Sequence, residues 1–148
     1  MLAGHTDQKH WLTFGSPRVL PILYGNVPVL MSEDGSRAVV RMGVLKPADS
    51  SSWNPLASDD SKEPWKLGWA TIPPGQDIQL RMSGLLWPEA GQRIANSVFL
   101  SREASGNGQI ILFAGQPVYR GSTLGTTRLL LNAMVYGPGM GTRPVIEP

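Results

Sequence analysis

The sequence has no cysteine and only two histidines, His5 and His10. Without cysteine the chain can form neither a disulfide nor a cysteine-ligated zinc site, and it has no thiolate nucleophile. The two histidines lie close together in the sequence, but no acidic residue completes a recognised metal-ligand pattern with them. We therefore expect no metal and no cofactor, and we expect the two histidines to lie exposed on a flexible N-terminal segment.

Charged residues are also scarce, at 16% of the 148 residues, whereas hydrophobic residues make up 41%. This balance predicts a folded chain, and the length predicts one domain over residues 1–148. The basic residues are scattered singly from Lys9 to Arg143 and the net charge is only +2, which argues against a nucleic-acid partner. The chain has no run of roughly 18 apolar residues and no signal-peptide pattern, so we expect no membrane partner and assign no compartment.

Proline and glycine interrupt the N-terminal part of the chain. Between Trp11 and Met31 their spacing predicts a short helical turn followed by extended chain. Residues 27–31 and 37–43 are apolar runs on either side of a Ser-Glu-Asp-Gly turn, a pattern typical of a β-hairpin. Residues 46–75 are rich in Ser, Asp, Pro and Trp without a regular period, which predicts a long loop insertion.

The C-terminal half has clearer patterns. A Pro-Glu pair predicts the start of a short helix over residues 88–96. Residues 97–115 predict a prominent β-hairpin, because the Ser-Gly-Asn-Gly stretch at 105–108 tolerates the positive φ of a tight turn. The second strand, at 109–115, is continuously apolar, which predicts a central strand covered on both faces.

A longer helix is predicted over residues 123–136, with Ser122 or Thr123 as its N-cap, Gly137 at its end and a tail at 138–148. One face of this helix is expected to join the core, and it consists of Leu124, Thr127, Leu131, Met134 and Val135. The polar face is expected to consist of Arg128, Asn132 and Tyr136. These elements together predict an α/β fold of the mixed α+β type around a central mixed β-sheet.

Two stretches carry a family resemblance: "SGLLWPEA" and "ANSVFLSREASGNGQIILFAGQPVYRGSTLGTTRLLLNAMVYG". They resemble the C-terminal class I glutamine-amidotransferase-like accessory domain of bacterial zinc carboxypeptidases of the carboxypeptidase A type. The resemblance covers residues 83–137 well and residues 11–31, with "HWLTFG", more weakly, and it excludes the loop at 46–75. It implies that the chain is part of a larger amidotransferase-like domain, that the parent is periplasmic or extracellular, and that a peptidase domain is the partner.

The catalytic groups of that family are missing from this sequence. The peptidase's His-x-x-Glu zinc motif is absent, and the chain has no cysteine to serve as the amidotransferase nucleophile. Ser83 and Ser122 do not stand in a Gly-x-Ser-x-Gly elbow, so we interpret both as capping or turn residues. We therefore expect no enzymatic activity from this chain.

The loop that precedes the longer helix is the candidate binding site, at Arg120, Gly121, Ser122 and Thr123. It is predicted to join a buried strand to a helix N-terminus, where backbone N–H groups together with Arg120 could hold an anion. The alternative is a structural role, in which a buried Arg120 forms an ion pair with Glu89 and locks the loop. We favour the structural alternative, because a buried arginine needs a partner.

Two functional hypotheses follow from the sequence. In the first, the chain is a non-catalytic accessory and docking domain that packs on the peptidase domain or associates with another copy of itself. In the second, it is a binding domain for peptide or glycan fragments that uses an aromatic surface formed by Trp53, Trp65, Trp69 and Trp87.

Overall fold

The computed structural model describes residues 1–25, 27–31, 38–48, 65–67, 70–73 and 75–141. Its strands, in chain order, are β1 (Leu2–Thr6), β2 (Val19–Ile22), β3 (Ala38–Met42), β4 (Val44–Pro47), β5 (Trp65–Leu67), β6 (Ala70–Ile72), β7 (Gln76–Gln79), β8 (Val98–Ser105) and β9 (Gly108–Phe113). The two α-helices are α1 (Pro88–Ile94) and α2 (Leu124–Tyr136), and short 3-10 helices occupy Trp11–Thr13 and Tyr119–Gly121.

A five-stranded sheet with the strand order β2-β1-β3-β8-β9 forms the centre of the fold. Two smaller sheets pair β4 with β7 and β5 with β6. The mixed α+β class predicted from the sequence is confirmed. The pairings between these strands are all antiparallel, so the central sheet is antiparallel where a mixed sheet was predicted.

The predicted hairpin at 97–115 is confirmed as β8 and β9, which are joined by the two-residue turn Gly106-Asn107. Gly106 has a φ of 58°, the left-handed conformation that favours glycine. The prediction that the second strand is central was wrong, because β9 lies at the edge of the sheet. The strand is also not covered on both faces as predicted, since Ile110 and Leu112 on one face are exposed.

The predicted pairing of residues 27–31 with 37–43 was also wrong. Strand β3 lies between β1 and β8, and residue Leu30 instead forms an isolated bridge to Val98. The N-terminal strand β1 takes the place beside β3, with β2 on its other side. Gly4 of β1 leaves room for the Ile22 side chain of β2, which a Cβ at Gly4 would meet. Part of the loop predicted at 46–75 is regular, since β5 pairs with β6; residues 49–64, 68–69 and 74 lie outside the described residues.

Helix α2 crosses one face of the central sheet from edge to edge. Near its N-terminus Gly125 lies against Leu20 of β2, and just beyond its C-terminus Gly137 lies against Ile111 of β9. Its 13 residues give a length of about 20 Å, which matches the width of five strands spaced about 4.8 Å apart. The predicted helices at 88–96 and 123–136 are both confirmed, the first ending at Ile94.

The core occupies both faces of the sheet, because the adjacent residues Phe99 and Leu100 of β8 are both buried; α2, the 3-10 helix Trp11–Thr13 and Ile94 of α1 all contribute to it. Its fully buried large side chains are Leu12, Leu20, Ile22, Val39, Val40, Met42, Leu80, Phe99, Leu100 and Leu129. Only Leu129 of this set comes from α2. The helix therefore contributes little apolar surface to the core, although it is the longest helix among the described residues.

Candidate functional site

Helix α2 turns most of its apolar side chains toward solvent. Leu124 is 82% exposed, Val135 68%, Met134 66% and Leu131 51%. These four residues are called the outer face below. The prediction that these four residues join the core was wrong. Asn132, which was predicted to lie on the polar face, is buried.

Beside Leu129, the inner face of α2 carries two buried polar residues, Thr126 and Asn132, which bond to loops. Asn132 donates both amide hydrogens, one to the carbonyl of Leu12 and one to the carbonyl of Phe14, each at 2.9 Å. Thr126 donates from its hydroxyl to the carbonyl of Pro117 at 2.7 Å. Buried carbonyl groups outside regular structure need such donors. The need to satisfy these loops therefore decides which face of the helix lies inside.

The outer face is nearly free of charge. Arg128 lies on the same side of the helix, four residues after Leu124 and three before Leu131, and its guanidinium extends toward Gly15. Leu124 and Leu131 are seven residues apart and Val135 follows four later, the spacing with which one helix packs along another. Single exposed apolar residues are ordinary, but a contiguous set on one helix marks an interaction surface.

The loop at Arg120 differs from its prediction. Arg120 is exposed, has a φ of 49°, and places its guanidinium 5.2 Å from the centre of the Tyr119 ring. Within the described chain no ion pair joins Arg120 to Glu89, so the predicted buried pair was wrong. The two residues lie on different elements, Glu89 in α1 and Arg120 in the 3-10 helix before α2.

The neighbouring loop residues have structural contacts. The Ser122 hydroxyl donates to the carbonyl of Tyr119 at 2.8 Å, and the buried Thr123 hydroxyl bonds to that of Thr126. Gly121 has a φ of 63°, which completes the turn into α2. Thr123 occupies the N-cap position of α2 without a side-chain hydrogen bond to the helix N–H groups, and Ser122 has a turn role. An anion site at this loop stays a prediction.

The predicted aromatic surface can be located at one position. Trp53 and Trp69 lie outside the described residues, and for Trp65 the structure describes only the backbone, in β5. Trp87 is 65% exposed and lines an open cleft of about 400 Å³ between α1 and residues 24–25 and 27–29. Sequence reasoning missed this cleft because its two walls come from distant parts of the chain.

The two histidines are part of the folded structure, so the predicted exposed, flexible pair was wrong. His5 lies in β1, and the Nδ1 atom of His10 accepts a hydrogen bond from the Leu12 N–H and caps the first 3-10 helix. Burial lowers the pKa of both side chains below the usual value. Arg18 lowers the pKa of His5 further, whereas Asp7 acts in the opposite direction on both.

The described residues contain no cluster of three or more metal-ligating side chains. Ser83 lies on an exposed turn whose backbone bonds to Met1. Neither helix in the described part of the chain has the length and apolar content to cross a bilayer.

No protein-family model matches the chain, and neither a curated protein nor a solved structure is similar to it. The resemblance to the accessory domain of zinc carboxypeptidases therefore stays a prediction. The class of the chain rests on its own structure: a mixed α+β domain with an apolar helix face turned to solvent.

Proposed function

We propose that the chain is a non-catalytic docking domain that associates with a second copy of itself through the outer face of α2. One observation carries the proposal: the helix buries Thr126 and Asn132 while it exposes Leu124, Leu131, Met134 and Val135. A helix that serves only to cover a sheet would place these side chains the other way round. Burying the outer face in an interface stabilises the complex by about 25 cal/mol for each Å² of apolar surface removed from water.

The chemistry of the outer face favours a second copy as the partner. A two-fold interface brings the same patch of both subunits together, so any charge on the patch would meet a like charge. The four members of the outer face are uncharged, and Arg128, which lies between Leu124 and Leu131 on the same side of the helix, extends its guanidinium toward Gly15. Two copies can therefore pack the four apolar side chains together while Arg128 stays beside Gly15.

Two further observations support a role without catalysis. The hydroxyl of Ser122 is engaged with the Tyr119 carbonyl, and Ser83 lies on an exposed turn. The side chains of His5 and His10 have pKa values lowered by burial, and they are engaged by Arg18 and by the Leu12 N–H. The proposal therefore assigns the chain a contact surface and no reaction.

Sedimentation equilibrium over a range of concentrations tests the self-association. The wild type is expected to reach the dimer mass at high micromolar concentration, and Leu131→Glu is expected to remain monomeric because it places a charge at the centre of the outer face. Leu45→Glu is the matched control, since Leu45 in β4 has the same exposure as Leu131, 51%. It should associate like the wild type.

Two results would contradict the proposal. One is a wild type that stays monomeric at the highest concentration. The other is a control that loses association to the same degree as Leu131→Glu. A monomeric chain that instead binds a separately prepared zinc carboxypeptidase domain would favour the partner implied by the sequence resemblance.

A further inference from the structure

The cleft beside α1 has two firmly held walls. One wall is formed by residues 24–25 and 27–29, in which the Tyr24 hydroxyl lies 3.3 Å from the Val27 carbonyl and 3.4 Å from the Pro28 carbonyl. The bridge between Leu30 and Val98 fixes the end of this segment to the central sheet. The other wall is α1, whose residue Ile94 belongs to the core. The cleft is therefore formed before any ligand arrives, and its volume of about 400 Å³ lies within the range of about 300–1,000 Å³ found for small-molecule sites.

An aromatic side chain stands at the edge of this cleft. Trp87 occupies the N-cap position of α1 and is followed by Pro88, whose ring restricts the backbone. The Trp87 side chain lines the cleft yet remains largely exposed. A large ring held at the mouth of a cavity offers a flat apolar surface for stacking.

The charged groups that line the cleft are one acid and one base. Glu89 and Arg93 are four residues apart on α1, so they lie on the same side of the helix, and both line the cleft. Among the described residues neither side chain has a hydrogen bond or an ion pair. The pair offers hydrogen-bond acceptors and donors while its charges sum to zero.

From this combination we propose that the cleft binds a neutral saccharide. The C–H face of a pyranose ring stacks on the Trp87 indole, and adjacent hydroxyls donate to Glu89 and accept from Arg93. A ligand with a single charge would meet a like charge at one of these two residues. This inference does not depend on the outer face of α2, which is a separate surface.

Titration followed by ¹⁵N–¹H NMR tests the inference with cellotriose, chitotriose and, as a zwitterionic comparison whose two ends could pair with Glu89 and Arg93, trialanine. At least one of the two saccharides should shift the indole N–H signal of Trp87. Trp87→Ala should weaken that binding by about tenfold or more, which is about 1.4 kcal/mol. Leu45→Ala is the control and should bind like the wild type, because Leu45 lies in β4, outside the cleft.

Glu89→Gln provides a second variant that keeps the size of the side chain, and it should also weaken saccharide binding. Three results would overturn the inference: no shift with either saccharide, tighter binding of trialanine than of both saccharides, or wild-type affinity in Trp87→Ala and Glu89→Gln. Because these positions are exposed, unchanged melting temperatures would show that the variants remain folded.

Discussion

At the scale of single residues, Asn132 decides the orientation of α2. Its amide is buried and supplies two donors to the 3-10 helix that precedes β2. The sequence placed Asn132 on the solvent face, because three successive leucines at 129–131 make either face of the helix apolar enough to be the core. Periodicity alone cannot tell that a buried amide is needed, since the need arises from carbonyl groups of a distant loop.

We predict that Asn132→Leu lowers the free energy of unfolding by about 2–3 kcal/mol, because the buried carbonyl of Leu12 and the partly buried carbonyl of Phe14 lose their donors. Urea unfolding of the variant and the wild type measures this difference. Gln92→Leu is the control, since it removes an exposed amide from α1. An Asn132→Leu variant no less stable than Gln92→Leu would show that the two hydrogen bonds do not hold the helix.

His10 makes stability depend on pH. Burial lowers its pKa in the folded state, Arg102 lowers it further and Asp7 partly opposes this, whereas the unfolded chain has the ordinary value of about 6.5. Below that value the unfolded chain therefore takes up protons more readily than the folded one. The free energy of unfolding should fall as the pH drops from about 6.5 toward the folded-state pKa, by at most about 1.4 kcal/mol per pH unit per histidine.

Urea unfolding near pH 7.5 and near pH 5.5, on either side of the ordinary histidine pKa of about 6.5, measures this effect. His10→Asn keeps an acceptor for the Leu12 N–H but does not titrate, so it should lose less stability at the lower pH than the wild type. His5 shifts in the same direction, and the double variant with His5→Asn should lose still less. A His10→Asn variant with the full wild-type pH dependence would contradict the explanation.

At the scale of elements, the sequence predicted the turns and helix ends that are determined by neighbouring residues. The β8–β9 turn was found from Gly106 and its neighbours, and both helices were found from their first and last residues. The pairing partner of β3 was not found, because Leu2–Thr6 is short and ends close to polar residues that suggested an exposed terminus. The edge position of β9 was missed because a continuous apolar run is typical of a central strand.

The β8–β9 turn gives a test at this scale. Gly106→Ala should lower the free energy of unfolding by about 1 kcal/mol, because alanine is strained at positive φ. A Cβ at this position meets nothing within 4 Å, so the cost is conformational alone. Gly108→Ala is the control, since Gly108 is not at positive φ and its Cβ would contact only the Ser105 carbonyl, at 3.6 Å. Equal thermal unfolding curves for the two variants would contradict this account of the turn.

At the scale of the whole molecule, the sheet order and the direction of α2 were beyond reach from the sequence. Both depend on contacts between segments that are distant in the chain: Leu20 lies against the N-terminal end of α2, and Ile111 lies against its C-terminal end. Of the candidate site residues, Trp87 and Glu89 were named in advance, Glu89 in a different role. The walls of the cleft and the exposure of the outer face of α2 were not predicted. These surfaces exist only once the distant segments have packed together.

The absence of native cysteine allows a direct test of the central claim, that two copies meet through α2. In a two-fold dimer, Leu131 at the middle of the outer face lies near its own counterpart, and a disulfide forms only where the two Cα atoms come within about 7 Å. Under mild oxidation, Leu131→Cys is expected to form a covalent dimer while Leu45→Cys remains monomeric on a non-reducing gel. Two variants that both stay monomeric, or that cross-link equally, would contradict the claim.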